Sequence, residues 1–517
     1  MADVDGSDTA LSRRAFCGLA GGAIAAMGHA APATATAKSA TNELVMMDAT
    51  TLAATIRARR ASCVEVMTAF LDHIDRNNPV VNAIVARQDR TMLMAEAGRQ
   101  DDLARRGEWL GTLHGFPHAV KDLQPVKGIV STRGSQIFRD HVPIADGLMV
   151  ERLRRAGAIF IGKTNVPEFG LGSHSYNAVY GTTRNPYDTT RSAGGSSGGA
   201  GAALAMRMLP VADGSDFGGS LRNPAAWNNV IGFRTGFGRI AMSGDDVWFP
   251  GMGVLGPMAR NIPDLALLLK VQCGHDDRAP LSMEGDSLDL TASLSASPKG
   301  KRIGWLGDFG GTVPTEPAVM AQCGEALKTL EALGCSVEDA VPDMAIEPVW
   351  QALLKMRAWQ SGGGIAELYA APEKRKLMKP EAIYEVENGL KLSAFDLRAA
   401  SVVRSQWYNA VRKLFARYDY LIAPATQILP FDGKLDWPHE INGQAMGSYH
   451  EWQKGNFLIT MSGCPSLAVP AGFTANGLPV GIQIVAPVTR ELACLQLGHA
   501  YMQANDWTAK RLPPQLA

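Results

Sequence analysis

Two serines sit in glycine-rich loops of one region: Ser196 in Gly194-Gly-Ser-Ser-Gly-Gly199, and Ser220 in Gly214-Ser-Asp-Phe-Gly-Gly-Ser-Leu-Arg-Asn-Pro224. A lysine, Lys121, lies upstream in a Val-Lys-Asp run. A serine hydroxyl attacks a carbonyl only when a base removes its proton, and a lysine is such a base only as the neutral amine. Glycines beside the serine let backbone come close to a ligand. Taken one at a time, these are ordinary loop serines and a surface lysine.

Two other patterns overlap the same region. Gly157-Ala-Ile-Phe-Ile-Gly-Lys163-Thr164 has the phosphate-loop spacing G-x-x-x-x-G-K-[ST]. That loop needs a strand before its first glycine and flexible residues between the two. Here Ala-Ile-Phe-Ile is itself strand-like, so Lys163 and Thr164 are expected to stabilise a strand end rather than bind ATP. Gly194-Gly-Ser196-Ser-Gly198 has the G-x-S-x-G spacing of a nucleophile elbow, which requires an apolar strand running into the serine. The preceding Asn185–Ala193 is a polar loop, and no downstream histidine is singled out, His450 included. His-Glu-x-x-His and Ser-x-x-Lys are absent from the sequence.

The elements that must position these residues alternate between helix and strand. Residues 44–75 have the spacing of two helices, and 89–106 that of a polar-faced one. Short strands are predicted at 82–87, 115–122 and 157–162, with a helix over 147–156. A small-residue helix is predicted over 199–208. Residues 276–300 have the composition of a connecting loop. Strand, helix and strand follow in 301–340, then mostly helix over 345–418, and strands at 420–424, 467–470 and 481–485. This alternation predicts a layered α/β domain with no internal repeat and no clean linker.

The 517 residues carry 50 Lys+Arg against 50 Asp+Glu, which argues against nucleic acid or an anionic membrane as the main partner. The balance leaves a homodimer open. Hydrophobic residues make up 46%, enough for a sizeable core. The 7 cysteines are scattered, with no Cys-x-x-Cys, and are expected to be small buried hydrophobes. Ser12-Arg-Arg-Ala-Phe16, followed by an apolar run of ~13 residues and Ala-x-Ala sites, resembles a twin-arginine export signal too short to span a bilayer. Residues 1–37 are therefore expected to be a removable segment, 38–517 the folded domain, and the mature protein periplasmic or secreted, without stable membrane insertion.

The chain resembles the amidase-signature family over roughly residues 45–510. The likeness is carried by His114-Gly-Phe-Pro-His-Ala-Val-Lys-Asp122, by Gly162-Lys-Thr-Asn-Val-Pro-Glu-Phe169 with the Ser196 loop, and by Asp216-Phe-Gly-Gly-Ser-Leu-Arg222. Gly463–Pro470 and Gly477–Val485 look similar too. The resemblance implies an α/β fold: a single large domain with a mixed, mostly parallel central sheet sandwiched by helices. It implies Ser220 as nucleophile, Ser196 as bridging serine after a cis Gly195–Ser196 bond, and Lys121 as base. The backbone N–H groups of Phe217, Gly218, Gly219 and Ser220 are then the candidate oxyanion donors. Ser197 is expected to support the relay, and Asp216 and Arg222 to brace the loop, with Asn165 and Glu168 further out.

The implied reaction is hydrolysis of a small-molecule carboxylic amide through an acyl-enzyme, with no metal and no organic cofactor. Two departures stand out. Arg234-Thr235-Gly236 occupies a place where many members carry Lys-Pro-Thr, and Phe217 replaces a smaller residue, which is expected to narrow the pocket. An amidotransferase subunit is the rival within the family, and the export-like segment and zero net charge argue against it. A non-catalytic binding protein is the rival outside it, and the intact Lys121, Ser196 and Ser220 argue against that. Residues 130–150, 170–185, 345–400 and 430–455 are expected to line the substrate pocket, with Tyr176, Trp350, Trp359, Trp437 and Trp452 as its aromatics.

Overall fold

The computed structural model describes residues 43–244, 246–249, 251–284, 290 and 294–517. The predicted export segment and Cys17 lie outside the described residues. Helix α1 (Ala49–Arg57) leads to α2 (Cys63–Val81). The Ser62 hydroxyl accepts the Glu65 N–H while the Glu65 carboxylate accepts the Ser62 N–H, a reciprocal cap that starts α2. Its Val66, Met67, Phe70, Leu71 and Ile74 are buried, the apolar stripe legible in the sequence. Asn82, left-handed at φ 51°, ends the helix.

Strand β1 (Ile84–Val85), helix α3 (Arg90–Arg105), strand β2 (Pro117–Lys121), helix α4 (Leu148–Arg155) and strand β3 (Ile159–Thr164) follow. The strands form a three-stranded sheet in the order β1-β3-β2, with β2 and β3 parallel. All six residues of β3 are buried, so the phosphate-loop spacing is a core strand. Helix α5 (Gly198–Ala205) is buried on every side.

The larger sheet contains β4 (Ala212–Asp216), β5 (Ile231–Arg234), β6 (Val254–Ala259), β7 (Arg302–Trp305), β8 (Ser336–Asp339), β9 (Tyr420–Pro424), β10 (Ser466–Phe473) and β11 (Pro479–Val485). Its order is β8-β7-β9-β11-β10-β5-β6-β4. The helices that follow are α6 (Arg222–Trp227), α7 (Ile262–Gln272), α8 (Pro317–Ala332), α9 (Ile346–Arg357), α10 (Pro380–Gly389), α11 (Ala394–Leu414), α12 (Lys454–Ser462) and α13 (Glu491–Ala504); α6, α7, α8 and α13 pack on the sheet, while α9, α10, α11 and α12 pack chiefly on one another.

The single α/β domain with a mixed sheet is as expected, but the balance of pairing is not. In the larger sheet, among the described residues, only β8-β7 and β7-β9 pair in parallel, while the pairings from β9 through β11, β10, β5 and β6 to β4 are all antiparallel. For β10 and β11 the reason is local. A short turn, in which the Gly477 N–H donates to the Thr474 carbonyl, folds β10 directly back onto β11, and a tight reversal of this kind makes antiparallel neighbours.

The main apolar core runs from α2 and α5 across β10 and β11. A second gathers Trp350, Trp407, Phe457 and Leu458 from α9, α11 and α12. A third, small cluster consists of Leu171, Ile365, Met378, Ala382 and Val386. The six described cysteines are free, and all but Cys273 are buried. Among the described residues no helix is long and apolar enough to cross a membrane.

Candidate active site

Lys121 ends β2, and the chain places its amine in a wholly buried nest of oxygens. Nζ lies 2.8 Å from Ser196 Oγ, 2.8 Å from Ser197 Oγ, 2.9 Å from Ser215 Oγ and 3.2 Å from the Ser215 carbonyl. Among the described residues no carboxylate pairs with it. Burial disfavours the ammonium form and brings Lys121 down to about 7, against the opposing pull of Asp216 and Asp213. A neutral amine can donate to the Ser215 carbonyl and one hydroxyl while accepting a hydrogen bond from another, which accounts for three of these four contacts.

Ser196 follows a cis Gly195–Ser196 peptide bond. Ser220 lies beyond β4, and its carbonyl accepts the Ser197 N–H at 3.2 Å, which ties the two serine loops together. Its residue is only 8% exposed. Among the described residues no hydrogen bond joins the Ser196 and Ser220 side chains.

The loop before Ser220 is braced from within. The buried Asp216 carboxylate accepts the Gly219 N–H at 2.9 Å, the Leu221 N–H at 3.0 Å, and Arg222 Nε and Nη2 at 3.0 and 2.9 Å. Arg234 adds a third side of the clamp: its Nη1 donates to the Asp216 carbonyl at 2.6 Å and carboxylate at 3.1 Å, and its Nη2 to the Met252 carbonyl at 2.8 Å. Burial would raise Asp216, but Arg222 and Arg234 overcome it and hold the carboxyl well below the usual range.

The Gly219 N–H is thus occupied by Asp216, a correction to its expected place among the oxyanion donors. The N–H groups of Phe217, Gly218 and Ser220 make no hydrogen bond to protein among the described residues. Glycine is required at 218 because a Cβ there would lie 2.1 Å from the Phe457 ring. Gly219 adopts φ +114° and backs onto Asn456, where a Cβ would lie 2.6 Å from its amide.

Several neighbours carry no sequence signature of their own. Ser215 and Asp213 both lie on strand β4, just before the Ser220 loop. Asp213 accepts from His118 Nε2 at 2.9 Å and from the Lys121 backbone N–H at 3.2 Å. Arg357 donates to Glu385 at 2.7 Å, and Glu385 also accepts from Tyr449 and from His450 Nε2 at 2.9 Å. Burial works against the charged Glu385, yet Arg357 and His450 bring it down to about 2. Asn165 and Glu168 are buried braces: Asn165 donates to Thr183 Oγ1 at 3.0 Å, and Glu168 accepts from Ser135 Oγ at 2.6 Å and the Lys379 N–H at 2.7 Å.

A cavity of about 810 Å³ adjoins the loop at Phe217 and is walled by Phe138, Phe249, Trp359, Ile365 and Leu368. Segments 130–150 and 345–400 contribute to it as expected, whereas 170–185 and 430–455 do not, and residues of 237–244, 246–249, 251–254 and 279–282 take their place. Of the aromatics expected there, Trp359 lines it. Trp350 and Trp452 are core, 2% and 1% exposed, and Trp452 stacks on Trp227.

The family model described as Amidase matches residues 65–495. The chain is 32% identical to an acylamidase of Rhodococcus erythropolis, over 90% of this chain and 97% of that protein. It is 31% identical to a component of the glutamyl-tRNA(Gln) amidotransferase of Thermosynechococcus vestitus, over 89% and 97%. Among solved structures, a bacterial aryl acylamidase of the amidase-signature enzymes superposes with a TM-score of 0.84 at 28% identity, covering 90% of this chain and 97% of that one.

Proposed function

The chain belongs to the amidase-signature family, and we propose that it cleaves the C–N bond of a carboxylic amide through an acyl-enzyme on Ser220, with Ser196 and Lys121 as its proton relay. The observation that carries this is the Lys121 amine: buried, ringed by serine oxygens and brought down to about 7. A lysine in that state can take a proton at neutral pH.

Ser220 Oγ attacks the amide carbon, its proton passes to Ser196 Oγ, and the Ser196 proton passes to Lys121 Nζ. The carbonyl oxygen becomes an oxyanion facing the N–H groups of Phe217, Gly218 and Ser220, a preorganised set that costs no rearrangement during the step. As the C–N bond breaks, the relay returns the proton to the departing amine. Water then attacks the Ser220 ester, gives a proton to the relay, and the acid leaves with Ser220 restored. Ser197 and Ser215 hold Lys121 in place. Asp216, Arg222 and Arg234 keep the loop in its shape.

The substrate we favour carries an aryl or bulky apolar group. The aromatic walls of the cavity beside Phe217 support this, as does the likeness to an acylamidase and an aryl acylamidase. Residues 1–37 are proposed to direct twin-arginine export of a 38–517 catalytic unit to the periplasm. The Arg13-Arg14 pair, its apolar follower and the balanced charge support a free exported hydrolase rather than an amidotransferase component.

Amine release from anilides, aliphatic amides and C-terminal peptide amides tests the reading. Anilides are expected to turn over fastest, and Ser220→Ala to abolish turnover in a folded protein. Full activity in that variant would remove the mechanism, and faster cleavage of small aliphatic amides would remove the substrate class. For export, Arg13→Lys with Arg14→Lys is expected to retain the protein in the cytoplasm. Unchanged periplasmic delivery would sink that proposal.

A further inference from the structure

Strand β2 is an edge strand of the three-stranded sheet, and β4 an edge strand of the eight-stranded one. Edge strands carry backbone groups without a strand partner. At the end of β2 the missing partner is a carboxylate: the Lys121 N–H points at Asp213 of β4, 3.3 Å from Oδ1 and 3.2 Å from Oδ2. The same carboxylate accepts from His118, three residues earlier on β2, at 2.9 Å. Both side chains are out of solvent, His118 at 1% and Asp213 at 0% exposure.

His118 Nδ1 is buried with no hydrogen-bond partner among the described residues. A protonated ring would strand an N–H there, a costlier defect than an idle lone pair. The hydrogen bonding therefore assigns a neutral imidazole with its proton on Nε2, donating to Asp213. The pair as a whole carries one negative charge.

We propose that His118 and Asp213 are positioning residues of the hydrolytic site, clamping the strand that carries Lys121 to the strand that leads to Ser220 and holding a fixed negative charge beside the amine. Among the described residues neither hydrogen-bonds to a serine hydroxyl or to the Lys121 amine, so neither is catalytic. This inference rests on Lys121 being the base.

The charge has a direction. Asp213 and Asp216, both on β4, favour the Lys121 ammonium and oppose its burial. Other ionisable groups nearby are Lys163 on β3, 3.8 Å from Asp122, and Asp122 itself, next to Lys121 in the chain. Helix α5 presents only glycine, alanine and leucine. On α2 the buried His73 is tied to the Met206 carbonyl at 2.8 Å, and the Cys63 thiol is pushed up by burial and Asp101. Removing the Asp213 charge makes Lys121 easier to deprotonate, so the enzyme should stay active at lower pH.

The test is the pH profile of kcat/KM on an anilide. Asp213→Asn keeps an acceptor for the Lys121 N–H, and its acid limb should move about 1 pH unit lower. His118→Phe should lower kcat at least tenfold with KM little changed, and His118→Gln, which keeps a donor near Nε2, should recover most of that loss. General misfolding would lower activity at every pH without moving the limb. An unmoved limb in Asp213→Asn overturns the inference, as does full kcat in His118→Phe, which serves alone if the Asp213 variant does not fold. Lys121→Met separates the two readings. If it is active, the relay itself falls. If it is inactive while the Asp213→Asn limb is unmoved, only the role of the pair falls.

Discussion

The Arg357 guanidinium lies 4.9 Å above the ring of Phe217, so the end of α9 grips the loop that leads to Ser220 through a cation–π contact. Arg357 is itself held by Glu385, whose carboxylate gathers Tyr449 and His450. A buried charge left without its partner costs ~3–5 kcal/mol.

Arg357→Ala should therefore lower unfolding stability by about that amount, read by urea denaturation. The acid dependence follows from Glu385. Its folded value of about 2 is depressed below the unfolded one, so its contribution is present above ~pH 4 and is lost as pH falls toward 2. Glu385→Gln should be less stable than wild type at pH 6, and the gap should narrow toward pH 2.

Lys121 follows the same rule at higher pH. Its folded value of about 7 lies below the ~10.4 of an unfolded lysine, so the unfolded chain holds the proton more readily between those limits. Wild-type stability should rise relative to Lys121→Met as pH climbs from 7 to 10. The inactive variant should be the more stable protein at pH 6. A constant difference across that window in thermal unfolding would refute the depressed lysine.

Gly218→Ala puts a methyl 2.1 Å from the Phe457 ring, which is itself packed against Phe217, Trp350 and His450. The loop should shift and misplace its N–H donors, with kcat falling by about 10²–10³, the worth of one oxyanion donor. Steady-state kinetics with unfolding as control read this. A variant with wild-type kcat would show that the 217–220 backbone does not stabilise the oxyanion.

Phe217→Ala opens the cavity and removes the ring that Arg357 covers. The ratio of kcat/KM for an anilide over a short aliphatic amide should fall roughly tenfold, close to the 0.5–1.5 kcal/mol of an aromatic contact. An unchanged ratio would place aryl recognition elsewhere.

Much of the site was legible because its parts are local. Lys121, Ser196 and Ser220 sit in dense motifs, and strand β9 matches its predicted 420–424 span residue for residue. Braces from distant segments were not legible. Arg357 and His450 meet at Glu385 from different helices and loops, and no spacing announces such a meeting. His118 and Asp213 stand within or beside the motifs, yet a lone histidine and a lone aspartate look like any others. Helix α7 was missed for a different reason: its Leu-Ala-Leu-Leu-Leu run is buried all round and shows no helical period. Parallel against antiparallel pairing was misjudged because a strand's own residues do not name its neighbour.

The small apolar cluster of Leu171, Ile365, Met378, Ala382 and Val386 is separate from the two larger cores and far smaller than either. Such a unit opens well below the global unfolding free energy. Backbone amides of α10 should accordingly exchange with deuterium faster than those of the central β10 and β11. Because Ile365 and Leu368 also wall the cavity, a bound ligand should slow that exchange, making the breathing of this patch a direct gauge of occupancy.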